Sequence, residues 1–129
     1  MSLREITVLT DIALITCIVQ RGVADTIIQA AREAGAQGAT VHFARGMGVR
    51  ERLGILGGAG EVGKEGIDIV VSKEQVERVF ERMYLAGNLD TPGMGIMYIT
   101  SLDKAATYIP PDVLGKFSAD EEKKAQKKL

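Results

Sequence analysis

The sequence holds one cysteine, one histidine and three prolines among 129 residues, and its charges nearly cancel. Each shortage excludes something. A lone cysteine permits no internal disulfide and no cysteine-rich zinc site. Cys17 lies within the apolar run from Ile12 to Val19, where a buried structural thiol is expected rather than a reactive one. A lone histidine, His42, has no second histidine or cysteine to complete a metal site, and it reads as an ordinary strand residue whose face is undecided. Sixteen basic against 17 acidic residues give a formal charge of −1. The basic excess that a general nucleic-acid binder uses to displace counterions is missing, so no nucleic-acid partner is expected. Few prolines and no G-X-Y period exclude collagen and proline-rich disorder. No apolar run approaches the roughly 20 residues that span a bilayer. Met1 to Glu5 carries no secretory pattern, so a cytoplasmic protein without direct membrane insertion is expected.

What is present suits one soluble domain, 46% hydrophobic and 26% charged. A chain of this length buries about two-thirds of the surface its unfolded form exposes, so no staple is required. Ile12 to Val19 reads as a strand buried on both faces. Val23 to Ala34 has helical spacing and Gly35 as its stop, and Ala39 to Ala44 returns to strand composition. After a glycine-dense stretch, Ile67 to Val71 is the next strand. Ser72 and Gln75 form a capping box that opens a helix with Val76, Val79, Phe80 and Met83 as its buried stripe. Glu74 and Arg78 are spaced to pair on its solvent side, and the helix should end near Gly87. Asn88 to Gly93 is a turn-rich connector, Gly95 to Thr100 a last strand, and Ser101 to Ala106 one helical turn. Ser118 to Leu129 is rich in lysine and glutamate and is expected to be an exposed, frayed helical tail. The domain is therefore placed at residues 1–115 and the charged tail at 116–129. The order predicts an α+β, ferredoxin-like βαββαβ fold: a four-stranded antiparallel sheet with two helices on one face. Its other face lacks a cover, which an oligomer would supply.

Glycine is the abundant residue, and eight of the 15 lie between Gly46 and Gly66. Gly58-Ala59-Gly60-Glu61-Val62-Gly63 satisfies GxGxxG but is rejected as a dinucleotide site, because a strand rather than a helix follows it. The same stretch is one residue from a P-loop, with Glu65 where a magnesium-holding hydroxyl belongs. No catalytic constellation replaces these near-matches. Ser2, Ser72, Ser101 and Ser118 lack a nucleophile-elbow context, and Glu65 with Asp68 merely brackets the start of a strand, so an enzyme is not expected. Arg45, Arg50, Arg52 and Lys64 at the roots of the glycine segment, with Gly46 and Gly48 exposing backbone N–H groups, form an anion-friendly region.

Ala34-Gly35-Ala36-Gln37-Gly38-Ala39-Thr40-Val41, followed by Arg45-Gly46-Met47-Gly48, resembles the second strand of the PII signal-transduction family, known for nitrogen regulation. Lys64 to Val71, with Glu74-Gln75-Val76, resembles the family's third strand and second helix. Gly87-Asn88-Leu89 through Gly93-Met94-Gly95-Ile96 resembles its nucleotide-facing loop. The resemblance implies a homotrimer that binds an adenine nucleotide (AMP, ADP or ATP) or a small anion at intersubunit clefts. It also implies a T-loop, here about residues 47–65, that docks on a membrane transporter or a metabolic enzyme. By the same resemblance, Thr40, Gly46, Gly48, Val49, Arg50 and Lys64 belong to one side of the cleft. Gly87, Leu89, Asp90, Gly93 and Gly95 belong to the other. Arg52, Leu53, Ile55 and Leu56 belong to the partner-binding loop, which Gly54 to Gly66 should keep mobile.

Several positions depart from the family's pattern. Val49 stands where the family has an arginine, and Arg50 where it has the glutamine that helps hold magnesium and 2-oxoglutarate. Met94 or Gly95 replaces a lysine, and Ala106 and Tyr108 replace two arginines. Arg52 and Lys104 are the candidates to make up the lost charge. Charge-assisted hydrogen bonds contribute about 1.5–3 kcal/mol each, so these losses favour a bare anion or a less charged nucleotide over magnesium-bound ATP. The alternatives are a ligand-free protein-interaction module and a CutA-like trimer that handles a small anion or metal.

Overall fold

The β-branched run after Asp11 forms a long strand because every second side chain has a covered place to go. The structure, a computed structural model, describes residues 4–46, 62–108 and 126–128. Its elements in chain order are β1 (Glu5–Leu9), β2 (Ile12–Gln20), α1 (Ala24–Glu33), β3 (Thr40–Gly46), β4 (Val62–Ser72), α2 (Val76–Ala86), β5 (Gly95–Leu102), β6 (Ala105–Ala106) and β7 (Gln126–Lys128).

The main sheet has the order β3-β4-β2-β5, and all of its pairs are antiparallel. This is the expected ferredoxin-like arrangement. On one face of the two central strands, Ala13, Ile15, Cys17 and Val19 of β2 join Ile67, Ile69 and Val71 of β4. Ile27 and Ala31 of α1, with Val76, Val79 and Met83 of α2, close over them. The expected stripe of α2 is therefore buried, with Phe80 partly so. Burial pushes the Cys17 thiol up to about 12 from its ordinary 9.0, so it is a structural residue. No described helix is long and apolar enough to cross a membrane.

The helix ends are held by tertiary contacts more than by local caps. No side chain caps either helix at its N-cap residue, Val23 or Gln75. The Ser72/Gln75 capping box does not form: Ser72 offers its backbone carbonyl to the Gln75 N–H instead, in a turn that delays the helix to Val76. Arg78 does not pair with Glu74. It donates from Nε to the Ala34 carbonyl at 2.9 Å, tying α2 to the C-terminal end of α1. Gly35, at φ +116, makes the stop that its position predicts.

Three boundaries differ from expectation. β4 begins at Val62 rather than Ile67, and Gly63 and Gly66 are strand residues paired with Arg45 and His42. Their lack of side chains hid a strand that cross-strand partners complete. Ser101 to Ala106 is not a helical turn: β5 runs on to Leu102, and Ala105–Ala106 pairs with Val8 and Leu9 of β1. At the chain's end, Gln126–Lys128 is a strand against Glu5–Thr7 rather than helix. β1, β6 and β7 form a separate three-stranded sheet in the order β6-β1-β7. The rest of the tail lies outside the described residues.

Candidate functional site

The candidate residues fall into three groups, fixed by sheet register. The first stands at the β3–β4 edge. Thr40 opens β3 opposite Asp68, and Gly46 closes it opposite Val62. Lys64 lies between Ala44 of β3 and Gln20 of β2, half-buried. Next to it, Glu65 takes over the cap that Val23 cannot supply. Its Oε1 accepts from the Gly22 N–H at 2.7 Å and the Ala24 N–H at 3.4 Å, placing negative charge at the N-terminus of α1. Arg21 lies over the Phe43 ring, with its Cζ 5.3 Å from the centroid. A Cβ on Gly63 would come within 2.8 Å of the Arg21 Cδ, so glycine gives the arginine stem its bed. Gly48, Val49, Arg50, Arg52, Leu53, Ile55 and Leu56 lie outside the described residues.

The second group is the connector between α2 and β5, and it is built for shape. Gly87 caps α2, donating to the Met83 carbonyl at 3.0 Å, and a Cβ there would strike Ile27. Leu89 is half-buried against the core, while Asp90 is exposed. Gly93, at φ +83, offers its carbonyl to Gln20 Nε2 at 2.8 Å, which ties the connector to the end of β2. Gly95, at φ +153, lets β5 start hard against the Ile18 carbonyl, where a Cβ would collide with backbone. Of the two alternatives for the lost lysine, Gly95 is the first strand residue and Met94 the residue before it. Ala106 pairs with Val8 in β6, and Tyr108 is 81% exposed.

β3 and β5 are opposite edges of a four-stranded sheet, three strand spacings or about 14 Å apart, so Thr40 and Gly46 do not reach the connector within one chain. Lys64 comes nearer, since it pairs with Gln20, whose side chain donates to the Gly93 carbonyl.

The third group was not assembled by sequence reasoning. Register puts Thr40, His42, Lys64, Gly66 and Asp68 on the face away from the helices, with Leu14, Thr16 and Ile18 of β2 and Ile96 and Tyr98 of β5. Thr16 donates to Asp68 Oδ1 at 3.1 Å, and His42 Nε2 stands 3.4 Å from Asp68 Oδ2. Glu65 and Asp68, bracketed together in the sequence, point to opposite faces and cannot act as a carboxylate pair. The signal for the third group was the spacing of His42 and Gly66 about the glycine segment, legible only once the register is known. Among the described residues, no three histidine, cysteine or carboxylate side chains gather as a metal site.

The sequence model of the family described as Nitrogen regulatory protein P-II matches residues 12–109. Both β1 and β7 fall outside that span. Among solved structures, the crystal structure of Arabidopsis thaliana PII bound to citrate is similar, with a TM-score of 0.59 and 23% identity, over 73% of this chain and 79% of that chain. At that identity the likeness is one of fold. No curated protein sequence matches the chain.

Proposed function

The chain belongs to the nitrogen regulatory protein P-II family and is a PII-type regulatory protein, and from that premise we propose that three copies form clefts that bind an adenine nucleotide or a small anion. Binding would set the conformation of the segment between β3 and β4, which docks on a transporter or a metabolic enzyme. Such a coupling works when the ligand offsets the ordering entropy of a glycine-rich segment.

One observation carries the reading. β3, with Thr40 and Gly46, and β5, which opens at Gly95, are opposite edges of one sheet, so a cleft that joins those two edges needs a second copy. The open face between those edges has apolar side chains to bury in such an assembly: Val70, Ile96 and Tyr98 are 42%, 58% and 45% exposed. A small anion also suits the related fold, since the A. thaliana protein is bound to citrate. Arg50 and Lys64 keep positive charge at the loop roots, while Val49, Ala106 and Tyr108 leave less of it than a triphosphate uses.

Calorimetric titration with AMP, ADP, ATP, cyclic AMP, bicarbonate, 2-oxoglutarate and citrate, beside light scattering for the oligomeric mass, tests the proposal. We expect a trimer, a heat of binding for at least one anion, and weaker binding in Arg50→Ala and Lys64→Ala. A trimer silent across the panel would leave a protein-interaction module in its place. A monomer would remove the clefts.

A further inference from the structure

We infer that Gln20, Arg21 and Gly22, where β2 turns towards α1, tie the connector before β5 to the root of the β3–β4 segment, so that a change at the root reaches the connector through two positioning residues, Arg21 and Gln20. The inference rests on the reading above in taking these two loops as the ligand-binding ones.

All three residues are exposed. Residues in such a place ordinarily find their partners in water, yet each of these has a partner on another part of the sheet. The β2–β5 ladder stops at Val19 and Gly95, short of Gly93. Gln20 Nε2 supplies the missing bond, donating to the Gly93 carbonyl at 2.8 Å. Arg21, next along the strand, turns to the other face. Its stem lies on Gly63 of β4 and its guanidinium over the Phe43 ring of β3, with Cζ 5.3 Å from the centroid. The Gly22 N–H donates to Glu65 Oε1 of β4 at 2.7 Å. Gly22 holds φ +93, and a Cβ there would meet nothing within 4 Å. Glycine is therefore present for backbone shape, not for space.

None of the three belongs to the buried core, which lies between the helices and the two central strands. An exposed cation–π contact and an exposed neutral hydrogen bond contribute little to stability. What they contribute is position. Contacts run without a gap from Phe43 to Arg21, through the backbone of the turn to Gln20, and on to Gly93. Separated sites couple through continuous contacts of this kind when one link has two arrangements. Arg21 is that link. Laid on the ring with its stem over Gly63, it holds the turn from the β3 side; swung into water, it releases it.

Amide hydrogen exchange of the full chain, read residue by residue by nuclear magnetic resonance, tests the coupling without a ligand. The Thr91 and Met94 N–H groups, bonded to the Asn88 and Thr91 carbonyls, report on the connector, and the Gly22 N–H reports on the turn. Phe43→Leu should speed exchange at all three by at least about threefold, whereas Phe43→Tyr, which keeps the ring, should not. Gln20→Leu should speed exchange at Thr91 and Met94. In the double variant, Phe43→Leu should still act on Gly22 but add nothing at Thr91 and Met94. Exchange at Ile15 and Ile69, in the central strands, should stay as in wild type throughout, which separates positioning from a general loss of stability. Titration with ADP then reads the consequence for binding, which Gln20→Leu and Phe43→Leu should each weaken by at least about threefold.

Connector amides that ignore Phe43→Leu overturn the inference. So does a double variant in which Phe43→Leu keeps its full effect on them, or a change that spreads equally to Ile15 and Ile69. A wild-type protein silent to ADP and to the rest of the panel above overturns the reading of the two loops as ligand-binding, while exchange alone still decides whether the turn couples them.

Discussion

The two faces of the main sheet are made by the same strands, residue by alternate residue, yet they follow different rules. On the covered face of β2 and β4 the positions are apolar and closed: Ile15, Cys17, Val19, Ile67, Ile69 and Val71 are at most 4% exposed. On the open face, one residue along, stand Leu14, Thr16, Ile18, Asp68 and Val70, with His42 reaching in from β3. Two helices define what the first face must be, and any apolar side chain of the right volume serves. No described element covers the second. The difference marks the open face as the one whose composition the described fold does not explain.

The sharpest way to break this comparison is to truncate neighbours on the two faces. Ile67→Ala should cost about 2–5 kcal/mol, since it opens a cavity under both helices. Val70→Ala, three residues further along β4, should cost under about 1 kcal/mol in the dissociated chain and should weaken association instead. Urea denaturation at low protein concentration, with sedimentation beside it, separates the two. Equal losses of stability would mean that the open face is already closed within one chain.

The same contrast explains what the sequence made legible. Isoleucine and valine at alternate positions of Ile12 to Val19, and the stripe of Val76, Val79 and Met83, announce a covered face directly, because burial selects on residue type. Both central strands, both helices and their order follow from that signal. Thr40, Gly87 and Gly95 were named through resemblance rather than through chemistry, and at Gly87 and Gly95 it is close packing against the backbone that requires glycine. Gly63 and Gly66 misled because a glycine run looks like loop, and the reason for Gly66 sits on another strand in the His42 ring. Glu65 stands where a P-loop would have its magnesium-holding hydroxyl, yet it is the distant cap of a helix whose own N-cap residue is Val23. Interactions of this kind depend on register across a long connection, and a single sequence does not print register.

The next largest effect concerns Cys17, the thiol at the centre of the covered face. Its thiol is held up at about 12 against an ordinary 9.0 by burial. A group whose folded value is raised gives stability that is whole below the unfolded value and is lost as pH climbs towards the folded one. Unfolding should therefore become easier between those two values, at about 1.4 kcal/mol per pH unit. Cys17→Ala should flatten that slope, measured by thermal melts of both proteins from neutral to alkaline pH. The native thiol should also resist alkylation at neutral pH until denaturant is added. Rapid labelling under native conditions would show the covered face opening without unfolding.

The finest test sets two carboxylates of one strand against each other. Glu65 points towards the helices and caps α1 through the Gly22 and Ala24 N–H groups, whereas Asp68 points to the open face and holds Thr16 and His42. Replacing each by its amide keeps the shape and removes the charge. Glu65→Gln weakens a charged cap at a helix N-terminus and should cost about 1 kcal/mol of stability in the dissociated chain, with association unchanged at any one pH. Asp68→Asn should leave that stability nearly as it was, because water already screens the pair in a single chain, and should alter association instead. Two substitutions of the same chemistry, three residues apart, then produce opposite patterns in two measurements. If Asp68→Asn instead destabilises the dissociated chain as much as Glu65→Gln does, the carboxylate on the open face is part of the fold's own support. The division between a face that folds and a face that associates would then fail at its centre.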